Sequence, residues 1–184
     1  MADALQVLMT RRSVRDFTSD QLSEEDVRTI VDAGLHAASA MNRQSWHLTV
    51  VQDKLLLDAL SAAVAAVLVD SGVPSLVERA HDPAFSTFHH APTVVFISSD
   101  GSHYSLADCA NAGQNMCLAA TALGIGSCYI GSFVQAFDHP SGKQLLSRFE
   151  LPAGYRPVFA IALGRPAKST FANASREWKV SYIR

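Results

Sequence analysis

Residues 103–123 read HYSLADCANAGQNMCLAATAL, and this stretch decides the architecture. It is a long helical run built mostly from Ala, Gly, Cys and Ser, with Leu106, Met116, Leu118 and Leu123 among them. Side chains this small let other backbones come close. The helix therefore belongs at the centre of the fold or of a dimer. Gly124 and Gly126 follow it and stop it; at Gly124 a plain helix end is the preferred reading. Cys128-Tyr129-Ile130 is then a short extended piece.

Working outward, residues 3–12 read as a helix that ends where Ser13-Val14-Arg15 turns extended. Ser23 followed by Glu24, Glu25 and Asp26 marks a helix N-terminus with an acidic first turn facing the dipole. Val27, Ile30, Val31, Gly34 and Leu35 then recur at helical spacing, and that helix runs out near Ala38. Trp46 to Gln52 (WHLTVVQ) reads as a strand, with Trp46 in the core. Asp53 caps a helix over 54–70. Residues 71–90 hold Gly72, Pro74 and Pro83 and read as loop with one helical turn. Thr93 to Ser98 (TVVFIS) reads as a buried strand. A helix over 141–149 and a last strand, Arg156 to Leu163, complete the order, and a polar tail covers 165–184.

Composition sets limits. The chain has 184 residues, enough for one domain with a sizeable core. It is 48% hydrophobic and 17% charged, against roughly 25% charged in an ordinary soluble domain. A dimer with a large apolar interface accounts for that excess. A net charge of −2 argues against nucleic acid, which calls for a basic stripe. The start carries Asp3 and no basic region, so it does not read as a secretion signal. The longest apolar run, Ala62 to Val69, is too short to cross a bilayer. Three cysteines (Cys109, Cys117, Cys128) with no CxxC pair fit a reducing cytoplasm and read as buried small hydrophobes. His81, His89 and His90 match no common zinc spacing and read as solvated loop residues, so no metal is expected.

The charge is unevenly placed. Of 15 Lys and Arg, ten lie in the first 43 or last 20 residues. Arg11-Arg12-Ser13-Val14-Arg15 is the densest group. A chain of this overall charge that gathers cations at both ends reads as one that folds those ends around a small anion. The planar Arg fork suits paired phosphate oxygens.

Five pieces in order now resemble the nitroreductase-like family of flavoproteins. They are Arg11-Arg12-Ser13-x-Arg15-x-Phe17; Asn42-Arg43-Gln44-Ser45-Trp46-His47; Asp108 through Ala120; Leu123 through Gly131; and Ile161-Ala-Leu-Gly164-Arg-Pro166. The resemblance covers essentially the whole chain, 1–184, as a single FMN-binding domain. It implies an α+β fold of three layers, a central and mostly antiparallel sheet flanked by helices. It also implies a homodimer whose C-terminal tail reaches the partner. Relatives often carry Pro where this chain has Ser45, and Pro-Ser where it has Ala38-Ser39.

The resemblance also implies roles. Arg11 and Ser13 fall to the FMN phosphate, Arg12 counts with them as cofactor-binding, and Arg15 falls to the pyrimidine edge of the ring, where a cation stabilises the reduced flavin. Asn42 and Gln44, taken as two residues apart on an extended segment, suit the ribityl hydroxyls or the N3/O4 edge. Tyr129, Ile130 and Gly131 would pass beside the ring near N5, with Gly131 allowing close approach. Arg176 would close over the phosphate, with Arg165 a second candidate. The plain alternative for Arg11 and Arg15 is a pair of solvated charges at a helix end, and for Asn42 and Gln44 loop residues that cap backbone. The expected activity is a cytoplasmic FMN oxidoreductase that takes hydride from NAD(P)H to flavin N5 and passes it to a nitroaromatic or quinone-like acceptor by ping-pong kinetics. Dehalogenation or flavin breakdown on the same scaffold, or a flavin-binding redox-partner module without turnover, are the alternatives.

Overall fold

A computed structural model describes residues 3–168 and 175–184. Helix α1 spans Ala4–Thr10 and α2 spans Glu24–Leu35. Strand β1 covers Trp46–Val51, followed by α3 (Lys54–Asp70) and α4 (Pro74–Ala80). Strand β2 (Thr93–Ser99), helix α5 (Ser105–Ala122), β3 (Gly126–Ile130) and β4 (Arg156–Gly164) complete the regular elements. The four strands form one antiparallel sheet in the order β1-β2-β4-β3.

Local chemistry explains most boundaries. The Ser23 hydroxyl accepts from the Asp26 amide, and Asp53 accepts from Leu55 and Leu56, so both expected caps form. Gly124 takes φ +70°, the left-handed conformation that ends α5. Two expectations need correction. Residues 71–90 contain a two-turn helix, α4, which starts on Pro74 and packs on α3 through half-buried Leu76 and Val77. The expected helix over 141–149 is instead a 3-10 helix, Lys143–Phe149, closed by Glu150 in the left-handed region.

The sheet separates two cores, which makes the expected three layers. Alternate residues of β2 face opposite ways. Val94 and Phe96 meet α3 and the Phe88, Phe133 and Phe149 rings. Val95 and Ile97 meet Ile30 of α2 and Cys109, Ala112 and Met116 of α5. All seven residues of β2 are buried, as its unbroken apolar character predicts.

Helix α5 lies at the centre, touching α1, α2 and all four strands. Its small residues are needed. A Cβ on Gly113 would lie 2.5 Å from Tyr129 Cε2 and 3.0 Å from Ile97 Cδ1. A Cβ on Gly34 of α2 would lie 2.8 Å from Met116 Cγ. Trp46 and all three cysteines are buried, as expected.

Candidate functional site

The N-terminal basic arm is held at both ends. The Arg11 amide closes α1 on the Val7 carbonyl at 3.0 Å. The chain then runs parallel to β3: Ser13 pairs with Ser127, and the Val14 amide donates to the Ser127 carbonyl at 2.8 Å. Beyond it, Thr18 N donates to Arg165 O at 2.9 Å and Ala167 N to Asp16 O at 3.0 Å, around a Phe17–Pro166 bridge. The arm is thus joined to the end of β4, and the basic N-terminal arm lies against the first residues of the basic C-terminal stretch. Val14 is buried against Gly126, whereas Ser13 and Arg15 stay exposed and Arg11 half-buried.

The guanidinium groups of Arg11 and Arg15 have no carboxylate partner among the described residues. Other arginines do: Arg148 pairs with Asp53, Arg156 with Asp138 and Arg165 with Asp26. Arg11 and Arg15 both reach Cys128 electrostatically, and Arg11 also reaches Cys117. Burial nevertheless dominates and raises both thiols, which argues against reactive thiolates. Cys109 is pushed up to about 12, by burial first and by Asp108 and Asp100 next. His89 is held below its ordinary value by burial, then by Arg15, Arg79 and His90. It is half-buried rather than solvated, which corrects the reading of that histidine; His81 and His90 are exposed. The composition of 71–90 carries no signal for this, because burial, the largest cause, and the Arg15 charge after it are both set by the fold.

Arg12 points elsewhere. Its Nη1 donates to the carbonyls of Met9 (2.9 Å) and Arg11 (2.8 Å), and it lines a small cleft with Thr121, Gly124 and Pro166. Arg165 is engaged with Asp26 at 3.1 Å. Arg176 is exposed, with Nη1 on the Ser175 carbonyl at 3.2 Å. The rest of the tail up to it, 169–174, lies outside the described residues.

Asn42 and Gln44 do not sit on an extended segment. Ala40–Asn42 is a 3-10 turn, and Met41 (φ 52°), Asn42 (φ 54°) and Gln44 (φ 52°) are all left-handed. Gln44 Nε2 donates to Asn42 Oδ1 at 3.3 Å, so the two amides stand together. Asp108, buried on α5, accepts from the Ala40 amide at 2.9 Å and from the Ser45 hydroxyl at 3.1 Å. Asn111 and Asn115 of the same helix donate to the carbonyls of Ala38 and Ala33, each at 3.1 Å. These three residues follow helical spacing on one face. Asp108 escaped the sequence reading; its signal was a lone acid inside the small-residue run.

The arm and the turn are far apart within the chain. The turn enters the sheet at Trp46, which pairs with Ser99. The arm lies beside Ser127, which pairs with Leu163, which pairs with Thr93. β1 and β3 are the two outer strands, so the groups occupy opposite corners of the sheet. Three strand spacings and six residues along β2 put them about 20 Å or more apart.

Tyr129 is directed into the core, onto Gly113 and Phe159, with its hydroxyl buried and unpartnered. Only its backbone is left to face a ligand. Gly131 is different: a Cβ there would meet nothing within 4 Å, so space beside it is open.

Beside an edge strand of this α+β sheet the arm thus places two arginines, Arg11 and Arg15, that have no carboxylate partner among the described residues. The chain belongs to the Nitroreductase family, whose model matches residues 8–165. A nitroreductase with bound FMN from Bacteroides fragilis NCTC 9343 superposes with a TM-score of 0.91 at 29% identity, over 100% of both chains. A nitroreductase with bound FMN from Desulfitobacterium hafniense DCB-2 gives 0.90, again at 29% identity over 100% of both. An Archaeoglobus fulgidus protein named "Putative NADH dehydrogenase/NAD(P)H nitroreductase" is 30% identical over 166 residues, 90% of this chain and 87% of its own length. No helix among the described residues is long and apolar enough to cross a membrane.

Proposed function

We propose that the protein is an FMN-dependent oxidoreductase that takes reducing equivalents from NAD(P)H and passes them to a small organic acceptor, nitroaromatic or quinone-like. The observation that carries this is the pair Arg11 and Arg15, without carboxylate partners among the described residues, flanking Ser13 on an arm hydrogen-bonded to β3. A dianionic phosphate needs such donors. Gly131, one residue past the same strand, has open space where a flat ring would lie. The FMN-bound relatives, similar over their full lengths, support the same cofactor.

When bound, FMN supplies the hydride chemistry. The chain's residues supply position and charge. Arg11 and Ser13 hold the phosphate, and Arg15 places a fixed cation towards the pyrimidine edge. Asn42 and Gln44 offer paired amide donors and acceptors to the ribityl chain or the N3/O4 edge. Arg176 and Arg165 are the two tail candidates for the phosphate, and Arg165 would have to exchange its pairing with Asp26 to serve.

The corner-to-corner separation of arm and turn supports a site completed by two copies, the arm of one meeting the turn of the other. Exposed apolar side chains support that assembly: Leu5, Leu8 and Met9 on α1, Met41 in the turn, and Trp178, Tyr182 and Ile183 in the tail. The test is direct. The purified protein is expected to be yellow, to bind one FMN per chain, and to lose its flavin absorbance on anaerobic addition of NADH or NADPH. A preparation that stays colourless with excess FMN overturns the proposal; one that binds FMN but is never bleached leaves a binding protein without this activity.

A further inference from the structure

Asp108 carries a role that neither the motif nor the fold by itself assigns. It is 2% exposed, and no cation pairs with it among the described residues. A buried carboxylate in that situation is costly unless its oxygens are filled by hydrogen bonds. Here both are. One oxygen takes the Ala40 amide and the other the Ser45 hydroxyl. The position in the first turn of α5 adds the favourable end of the helix dipole.

The two contacts fall at either end of one short turn. Between Ala40 and Ser45 lie Met41, Asn42 and Gln44, all with positive φ. Non-glycine residues avoid that region, Met more than Asn. Three of them in a row of four persist only where the surroundings hold them. The Ser39 hydroxyl accepts the Gln44 amide at 3.1 Å, a local tie across the same turn. The Ser45 hydroxyl in turn receives Ser102 Oγ at 3.3 Å, so the bracket continues into the loop before α5.

We propose that Asp108 is a positioning residue of the FMN site, its carboxylate bracketing the 40–45 turn so that the Asn42 and Gln44 amides are presented together to the cofactor. This rests on the reading of Asn42 and Gln44 as FMN contacts. The carboxylate touches neither cofactor nor substrate; it acts through the turn.

The experiment is equilibrium titration of the full-length chain with FMN, together with thermal melting. Asp108→Ala removes two acceptor contacts and is expected to weaken FMN binding about 10- to 100-fold. Asp108→Asn keeps an acceptor for Ala40 and a polar contact to Ser45, and is expected to weaken it only about 2- to 10-fold. In the Asp108→Ala background, Asn42→Ala should add less than about 2-fold, whereas Arg11→Ala, on an arm that Asp108 does not hold, should add its full effect. A purely structural role would shift melting without that selective coupling. Should Asp108→Ala fail to fold, Ser45→Ala removes one of the two contacts and is read in the same way. Unchanged FMN affinity in Asp108→Ala (or in Ser45→Ala), or full additivity with Asn42→Ala, overturns the inference while leaving the FMN assignment intact. A wild-type chain that does not bind FMN overturns both.

Discussion

The amide of Thr18 donates to the carbonyl of Arg165 across 2.9 Å, and the two residues lie at opposite ends of the domain's sequence. That bond, with Ala167 on Asp16, joins the basic arm to the end of β4. On its other side the arm is paired with β3 through Ser13 and Val14. Arg11 and Arg15 therefore start from a fixed backbone, which would spare the proposed phosphate the backbone part of the cost of ordering them.

Arg11 is expected to matter for affinity. Arg11→Ala removes a charge-assisted bond worth about 1.5–3 kcal/mol, so the FMN dissociation constant should rise roughly 10- to 100-fold. Equilibrium titration followed by flavin fluorescence decides this; an unchanged constant removes Arg11 from the phosphate site.

Arg15 is expected to matter for potential. Loss of its cation disfavours the reduced, more negative ring, so Arg15→Ala should lower the flavin midpoint potential by about 30 mV if the interaction is worth about 1.4 kcal/mol. Spectroelectrochemistry measures the shift. An unmoved midpoint places Arg15 away from the ring.

Two glycines should behave in opposite ways. Gly113→Val drives a side chain into the Tyr129 ring, already 2.5 Å from a bare Cβ, and overpacking of that kind costs about 1–3 kcal/mol. Gly131→Ala meets nothing within 4 Å, so stability should stay within about 0.5 kcal/mol of wild type. The flavin spectrum or affinity should nevertheless change, because the new methyl occupies the open space. Urea denaturation and FMN titration of both variants test the pair, and a Gly131→Ala protein with wild-type flavin properties would falsify the placement of the ring.

His89 makes acid stability informative. Its folded value lies below the ordinary 6.5, so the unfolded chain takes up the proton first as pH falls. The contribution of this group is present above about 6.5 and is lost as pH drops from there to the folded value. His89→Gln should flatten that part of the stability profile. An NMR titration of the imidazole with a midpoint at or above 6.5 would contradict the burial and the nearby Arg15 and Arg79 charges.

Much of the fold was legible because its signals are local. Ser23 and Asp53 cap helices using atoms two or three residues away, and Gly124 ends α5 by its own φ. The central place of α5 followed from its small side chains, and Gly113 shows the contact that requires them. The segment carrying Asn42 and Gln44, expected to be extended, is a left-handed turn for the opposite reason. Its shape depends on Asp108, 68 residues from Ala40 in sequence, and no local preference favours left-handed Met41 or Gln44. Tyr129 was likewise placed by its strand and not by its side chain, which the alternation of β3 sends to Gly113.

By itself the order of residues determined the four strands, the helices apart from α4 and the 143–149 segment, the burial of β2 and the family, since caps, periodicity and motif order are written along the chain. Only the tertiary structure decided that Arg165 is tied to Asp26, that His89 lies in the field of Arg15, and that the arm and the Asn42 turn occupy opposite corners. The reason is the pairing order β1-β2-β4-β3, which sets the distance between remote segments through contacts that neither segment contains.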